Sequence, residues 1–317
     1  MRIIFAGTPE FALPSLEALL ASSHKVIAVY TQPDRPQGRG LKVAASPIKQ
    51  LAQIHNLPVH QPETLRNAAA IQQVRDLVPD IFIDVAYGLF IPEEMLHLPR
   101  YHCINVHPSL LPRWRGASPI QAAILAGDEI TGVSIIRLSQ KLDAGDILQQ
   151  QKIVITECDT AATLLNKTAK IGAQLLLETL TALENNRCTY VPQNDTLSTY
   201  APKIEKADAA LNWNLSAIEL ERRIRAYNPW PVAYAIIKQQ TVRIWEAQAL
   251  AIAVTATSGT IVNASKSGID VATNHGTLRL TKLQFSGKKP LTTAEIINGH
   301  SQLFAIGQGF EKIMNNE

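Results

Sequence analysis

The chain has 317 residues, of which 46% are hydrophobic and 18% charged, with a formal net charge of +3. That length holds a sizeable core and predicts two domains, and the composition is that of an ordinary soluble globular protein. Three scattered cysteines, Cys103, Cys158 and Cys188, exclude a disulfide framework and a cysteine metal cluster and fit a reducing cytosol. No apolar run approaches the ~18 residues of a membrane span. Residues 1–189 carry 17 basic and 17 acidic side chains and the remainder 13 and 10. Any nucleic-acid partner must therefore meet local clusters, because no global field attracts it.

The N-terminal apolar stretch after Arg2 is broken by Pro9, Glu10 and Pro14. It reads as a strand over 2–6 and a helix over about 10–21, not as a signal peptide. A second strand over 26–30 completes a doubly wound α/β opening. A dinucleotide site does not follow, because only Gly7 stands where three glycines are needed and the second strand ends in Thr31, not an acid. Residues 31–50 hold a Gly- and Pro-rich loop with Arg35, Arg39 and Lys42. Basic side chains on such a loop suit phosphates, or the loop is a solvated surface segment.

A helix over about 46–55, a short strand at Val59, a helix over about 67–77 and a buried strand over 81–85 follow. The last leads into Ala86-Tyr87-Gly88-Leu89-Phe90-Ile91-Pro92. Cys103 to His107 reads as a strand, so Asn105 and His107 share a face about 7 Å apart. Asn can donate to an oxygen that gains charge, and His can move a proton near neutral pH. A His near a strand end is also a common satisfied structural residue. Pro108 and Pro112 stiffen the exit. The Gly88 loop and the loop after His107 both lie at strand ends, where this fold binds ligands. Leu110 and Leu111 wall a pocket there or simply pack.

A helix over about 117–126 and a strand over 133–138 lead to Lys-Leu-Asp-Ala-Gly-Asp, 141–146. This turn can aim Asp143 at His107 and fix its tautomer, while Asp146 can instead serve the turn itself. A strand over 147–155 and a long helix over 159–185 close the first domain. Residues 186–206, with Pro192 and Pro202, read as a linker. Ser216-x-x-Glu219 is a capping box opening a helix to about Tyr227. Five short β-rich runs after 232 predict a small β-barrel of the oligonucleotide-binding (OB) type.

Taken together, Phe-Ala-Gly-Thr-Pro, Thr-Gln-Pro-Asp-Arg-Pro-x-Gly-Arg-Gly, Ala-Tyr-Gly, Asn-Val-His-x-Ser-Leu-Leu-Pro-Arg-Trp-Arg-Gly, Leu-Asp-x-Gly-Asp and Asn-Pro-Trp-Pro resemble the methionyl-tRNA formyltransferase family over nearly the whole chain. Asn-x-His with Ser-Leu-Leu-Pro and Leu-Asp-x-Gly-Asp marks the wider class of folate-dependent formyltransferases. The basic loop and Arg-Trp-Arg-Gly point to the tRNA member. Pro108 replaces a Gly found in some members and does not discriminate between them.

The resemblance implies a Rossmann-like, mostly parallel catalytic domain over 1–189, a linker over 190–206, and an OB-like tRNA-binding barrel over 207–317. It implies 10-formyltetrahydrofolate as co-substrate, no metal, and initiator methionyl-tRNA as acceptor, in a cytoplasmic monomer serving translation initiation. Asn105, His107 and Asp143 would be catalytic. Ser109, Leu110, Leu111, Pro112 and Gly88 would bind the folate, and Arg35, Arg39 and Lys42 the tRNA. An amino sugar nucleotide is the alternative acceptor. A nicotinamide dehydrogenase lacks its glycines, and a non-catalytic RNA-binding module has no use for Asn105, His107 and Asp143 together.

Overall fold

The computed structural model describes residues 1–37 and 42–311. The chain forms two compact units: Met1–Pro119, Ile130–Val154 and Leu165–Ala201 make the first, and Ile120–Glu129, Ile155–Leu164 and Pro202–Glu317 the second. In chain order, β1 (Arg2–Gly7), α1 (Leu13–Leu20) and β2 (Lys25–Tyr30) come first. There follow β3 (Arg35–Gln37), β4 (Lys42–Ala44), α2 (Pro47–Ile54), β5 (Val59–His60), α3 (Ala68–Asp76) and β6 (Ile81–Val85). Next are α4 (Glu93–Leu96), β7 (Cys103–His107), β8 (Arg115–Gly116), α5 (Pro119–Ala126), β9 (Ile130–Arg137), β10 (Ile147–Val154), α6 (Ala161–Glu184) and β11 (Tyr200–Ala201). The helix starts obey local capping chemistry. Ser46 Oγ accepts the Lys49 N–H at 3.0 Å with Pro47 at the first helical position, and Asn67 Oδ1 accepts the Ala70 N–H at 2.8 Å.

The seven-stranded sheet has the order β10-β9-β7-β6-β1-β2-β5. Five strands from β7 to β5 pair in parallel; β9 runs antiparallel to β7, and β10 to β9. The expected mostly parallel sheet is therefore present, with two antiparallel strands at one edge. β1 and β6 are near-continuous apolar runs because helices cover both faces of the sheet. On one face Ile4, Phe82 and Cys103 meet Ile71 and Val74 of α3 and Met95 of α4. On the other, Gly172 of α6 lies so close to Val106 that a Cβ there would be 2.9 Å from a Val106 methyl. The strand order reverses between β1 and β6, and such a reversal opens a crevice at the carboxyl ends of the strands.

The second unit contains α7 (Ala217–Ala226), β12 (Tyr234–Ile237), β13 (Gln240–Leu250), β14 (Ile261–Ser265), β15 (Gly268–Ala272), β16 (Thr277–Phe285), β17 (Leu291–Thr292) and α8 (Thr293–His300). Both helices open with capping boxes, Ser216 with Glu219 and Thr292 with Glu295. The strands form a separate antiparallel sheet, β12-β13-β16-β15-β14, with β17 on β16. Its described pairings run from β12 at one end to β14 at the other. Register shifts on either side of Glu246 bend the 11-residue β13. Leu220, Ile224, Ile244, Val271, Leu280 and Phe304 lie in its core.

Two segments differ from their sequence-based reading. The basic loop is in part an antiparallel ribbon, with Arg35 opposite Ala44. Its neck is tied by Asp34, which accepts from Lys49 at 2.6 Å and Gln61 at 2.8 Å. The segment read as a linker is built into the first unit as far as Ala201. Val191 bridges Ile147, and β11 pairs in parallel with β8. These pairings are long-range and leave no local periodicity to detect.

Candidate active site

Asn105 and His107 end β7 on one face, as their spacing predicts, and both are buried. Asp84 of β6 stands opposite Asn105 in register. The Leu142–Asp146 turn that follows β9 brings Asp143 to the same place. Asp143 has a φ of 50°, a left-handed conformation that Asp tolerates better than most residues. Its Oδ2 accepts the Gly116 N–H at 2.8 Å and lies 3.7 Å from His107 Nδ1. That separation is too long for a hydrogen bond, and it becomes an ion pair only when the imidazole is protonated. His107 Nε2 lies 2.9 Å from the Trp114 carbonyl oxygen. A carbonyl only accepts, so Nε2 carries the proton and Nδ1 faces the carboxylate. The sequence suggests that Asp143 fixes the tautomer; in the structure the Trp114 carbonyl does so. Trp114 itself has a φ of 63°, an outlier for a bulky residue.

Asn105 and Asp143 line a cavity of about 150 Å³ with apolar walls from Leu89, Phe90, Ile91, Leu96, Leu138 and Leu142, and Asp84, Ser139 and Gln140 complete its polar lining. His107 is not among its lining residues and sits behind Asp143. Gly88 belongs to a neighbouring cavity of about 390 Å³ with Thr8, Gln32, Arg35, Ser46 and Tyr87, at the ends of β1, β2 and β6. Arg35 donates to Gln32 Oε1 at 3.0 Å there. Arg39 lies outside the described residues, and Lys42 is placed on β4.

Ser109, Leu110, Leu111 and Pro112 line neither cavity. They form a strap fixed to the antiparallel edge of the sheet. Ser109 Oγ donates to the Arg113 carbonyl at 2.7 Å, and the Ser109 carbonyl accepts from Ser134 Oγ at 2.6 Å. The Leu111 N–H donates to Ser134 Oγ at 3.1 Å, and its carbonyl accepts from Gln150 Nε2 at 2.9 Å. Leu110 packs where a side chain on Gly132 of β9 would otherwise stand. The Pro112 carbonyl accepts the Thr199 N–H at 3.4 Å.

Sequence reasoning misses two residues that hold this site. Gln193, inside the segment read as a linker, donates its amide to the carbonyls of Asp143 at 2.8 Å and Gly145 at 2.7 Å. Arg115 in turn donates to Gln193 Oε1 at 2.8 Å and to Asp195 at 2.8 Å. No signal in the sequence links residue 193 to a turn about 50 positions earlier.

Asp84 carries the clearest electrostatic signature. Burial first, and then the Asp143 charge, push its carboxyl up to about 7, against one N–H donated by Tyr87 at 3.0 Å. A carboxyl whose folded-state value lies above its unfolded value costs no stability in acid. The cost grows as pH rises past the ordinary carboxyl range and is complete above about 7. The expected result is that Asp84→Asn melts at a higher temperature than wild type at pH 8, with the gap narrowing towards pH 5. Thermal denaturation across that range checks it; a gap independent of pH would contradict the assignment.

An amide, an imidazole and a carboxylate gathered beside a doubly wound α/β sheet can together stabilise an oxyanion and move a proton, the chemistry that a group-transfer enzyme needs. Comparison with known families narrows the class. Residues 1–180 match the family described as formyl transferase, and residues 203–301 match the formyl transferase C-terminal domain. The chain belongs to the formyl transferase family.

Among solved structures, HypX from Aquifex aeolicus in complex with tetrahydrofolic acid is 17% identical, with a TM-score of 0.62 over 100% of this chain and 50% of that one. The chain thus spans about half the length of the HypX chains it matches. WlaRD, a sugar 3N-formyl transferase crystallised with dTDP and 5-N-formyl-THF, is 18% identical, with a TM-score of 0.65 over 91% of this chain and 99% of that one. An N-formyltransferase from Helicobacter canadensis, in complex with folinic acid and dTDP-3-aminofucose, is 18% identical, with a TM-score of 0.62 over 91% and 100%. At these identities the likeness is one of fold. Among the described residues, no helix is long and apolar enough to cross a membrane, and no group of three or more His, Cys, Asp or Glu could hold a metal ion.

Proposed function

We propose that the protein transfers a formyl group from 10-formyltetrahydrofolate to the amine of methionine on initiator methionyl-tRNA. The observation that carries formyl transfer is the cavity that Asn105 and Asp143 share, with His107 behind Asp143. The Asn105 side chain makes no hydrogen bond to the described residues, so its amide can donate to the formyl oxygen as charge builds there. A placed donor of this kind contributes about 3–4 kcal/mol to the barrier. Asp143 takes the proton released by the attacking amine, with His107 sharing its charge. The pair returns that proton to the folate nitrogen as the carbon–nitrogen bond breaks. Proton transfer by a placed group adds roughly 10²- to 10⁴-fold. The donor ring meets Leu89 to Ile91 in the cavity. The Ser109–Pro112 strap acts through β7 and β9, which it fixes.

The tRNA acceptor rests on Arg35, which lines the Gly88 cavity, on Arg39 and Lys42 in the same basic stretch of sequence, and on Arg-Trp-Arg-Gly. In the second unit, the bent β13 supports reading the antiparallel sheet as an open OB-like barrel for RNA. An amino sugar nucleotide is the second reading, because similar folds include sugar N-formyltransferases. Formyl transfer to charged initiator tRNA, against uncharged tRNA and dTDP-3-aminofucose, decides between them. Within this reading, Arg39→Ala should weaken use of the tRNA and lower its salt slope by about 1 without changing folate affinity. Steady-state kinetics at several salt concentrations, with a parallel folate titration, measure this; unchanged tRNA kinetics would remove Arg39 from the interface.

A further inference from the structure

The mechanism above leaves one ionisable group of the cavity without a task. Asp84 ends the buried run Ile81-Phe82-Ile83, where an apolar residue would complete the strand. Its neighbours in register are Ala6 on β1 and Asn105 on β7. One oxygen, Oδ1, accepts the Tyr87 N–H, and no other described group donates to the side chain. The carboxyl is otherwise open to the cavity. The ionisable groups that act on it are Asp143 from the turn after β9, Cys103 from β7 and Tyr87 from its own loop. β1 presents only Ala6. All of these groups are acids, so no cation in this set compensates the carboxylate. A partly buried carboxyl beside apolar walls without a cation is costly, and the single N–H from Tyr87 is its one hydrogen bond from the described residues.

We propose that Asp84 is a donor-recognition residue, accepting N–H groups from the edge of a flat heteroaromatic ring that carries an amino group beside a ring N–H. The inference rests on reading this cavity as the folate-ring site. The walls support it. Leu89, Phe90, Ile91, Leu96, Leu138 and Leu142 are apolar on all sides, which suits the faces of a planar ring. The polar lining is the carboxyls of Asp84 and Asp143, the amides of Asn105 and Gln140 and the Ser139 hydroxyl, each with an oxygen that can accept from an N–H-bearing edge. Hydrogen bonds from two N–H groups favour the ionised carboxyl. Because burial holds Asp84 up to about 7, the empty protein at pH 6 carries a proton there that the ligand must displace. Affinity should then rise about tenfold between pH 6 and pH 8, with nearly one proton released per ligand at pH 6 and almost none at pH 8.

The test is calorimetric titration of the full chain with 5-formyltetrahydrofolate at both pH values, in buffers of different ionisation enthalpy. Wild type is compared with Asp84→Asn, which keeps the shape, and Asp84→Val, which completes the apolar strand. Both variants should bind at least roughly tenfold more weakly at pH 8 and lose the Asp84-dependent proton release. Wild type should also prefer the folate over its 2-desamino analogue, and Asp84→Val should not. Variants that bind and release protons as wild type does would overturn the inference while leaving the donor reading intact. A wild-type chain that binds no folate at either pH would overturn both.

Discussion

Replacing any one of Asn105, His107 or Asp143 with alanine should lower kcat/KM for formyl transfer by roughly 10² or more, with the fold intact. The three act through one small space. In the proposed mechanism Asn105 donates to the forming oxyanion; Asp143 lines the same cavity, and His107 Nδ1 stands 3.7 Å from Asp143 with Nε2 committed to the Trp114 carbonyl. Because Asp143 and His107 share one proton path, the His107→Ala/Asp143→Ala double variant should lose little more than the worse single variant. Asn105 serves the oxygen rather than the proton, so its loss should add more fully to either. Steady-state kinetics of the three single and two double variants, with melting temperatures as a folding control, measure both points. A folded His107→Ala enzyme with near-normal turnover would remove the proton path from the mechanism. Equal additivity in both double variants would dissolve the division of labour between amide and relay.

How far the sequence reaches depends on whether an interaction is local. The face shared by Asn105 and His107 follows from strand periodicity alone, and β7 runs over the expected residues, Cys103 to His107. The Ser216–Glu219 cap is likewise a three-residue affair and forms as expected. The Ser109–Pro112 strap shows the opposite case. Its leucines and proline suggest a pocket wall, yet its polar groups are bound by Ser134 and Gln150 on strands that the sequence places far away. Gln193 is the extreme of this kind, since a glutamine in an unpatterned stretch carries no mark of its two carbonyl partners. Asp84 lies within the run read simply as a buried strand over 81–85, and its meaning depends on Asn105 and Asp143 facing the same cavity. Local chemistry was thus legible, and the assembly of separate strand ends was not.

The turn that carries Asp143 should be as sensitive as the residue itself. Gly145 lies against β9: a Cβ there would overlap the Arg137 carbonyl oxygen and come within 2.8 Å of the Arg137 carbonyl carbon. Both obstacles are backbone, so no side chain can swing aside. The turn is pinned on each side of this contact. The Arg137 N–H donates to the Asp146 carbonyl at 2.9 Å, the Arg137 guanidinium pairs with the Asp146 carboxylate, and Gln193 holds the Gly145 carbonyl. Gly145→Ala must therefore lift the whole turn from the strand, and Asp143, two residues earlier, moves with it. If Asp143 acts as proposed, a displacement of about 1 Å there costs on the order of 10²-fold. The expected outcome is a loss of kcat approaching that of Asp143→Ala, together with a destabilisation of about 1–3 kcal/mol from the overpacked contact. Gly299 provides the control. It lies in α8, a Cβ there meets nothing within 4 Å, and alanine is the better helix former, so Gly299→Ala should leave turnover unchanged and stability equal or up to about 1 kcal/mol higher. Parallel denaturation and kinetics of the two variants test the claim. If Gly145→Ala keeps wild-type turnover, the Asp143 turn is free to move without loss, and its attachment to β9 and Gln193 serves stability alone.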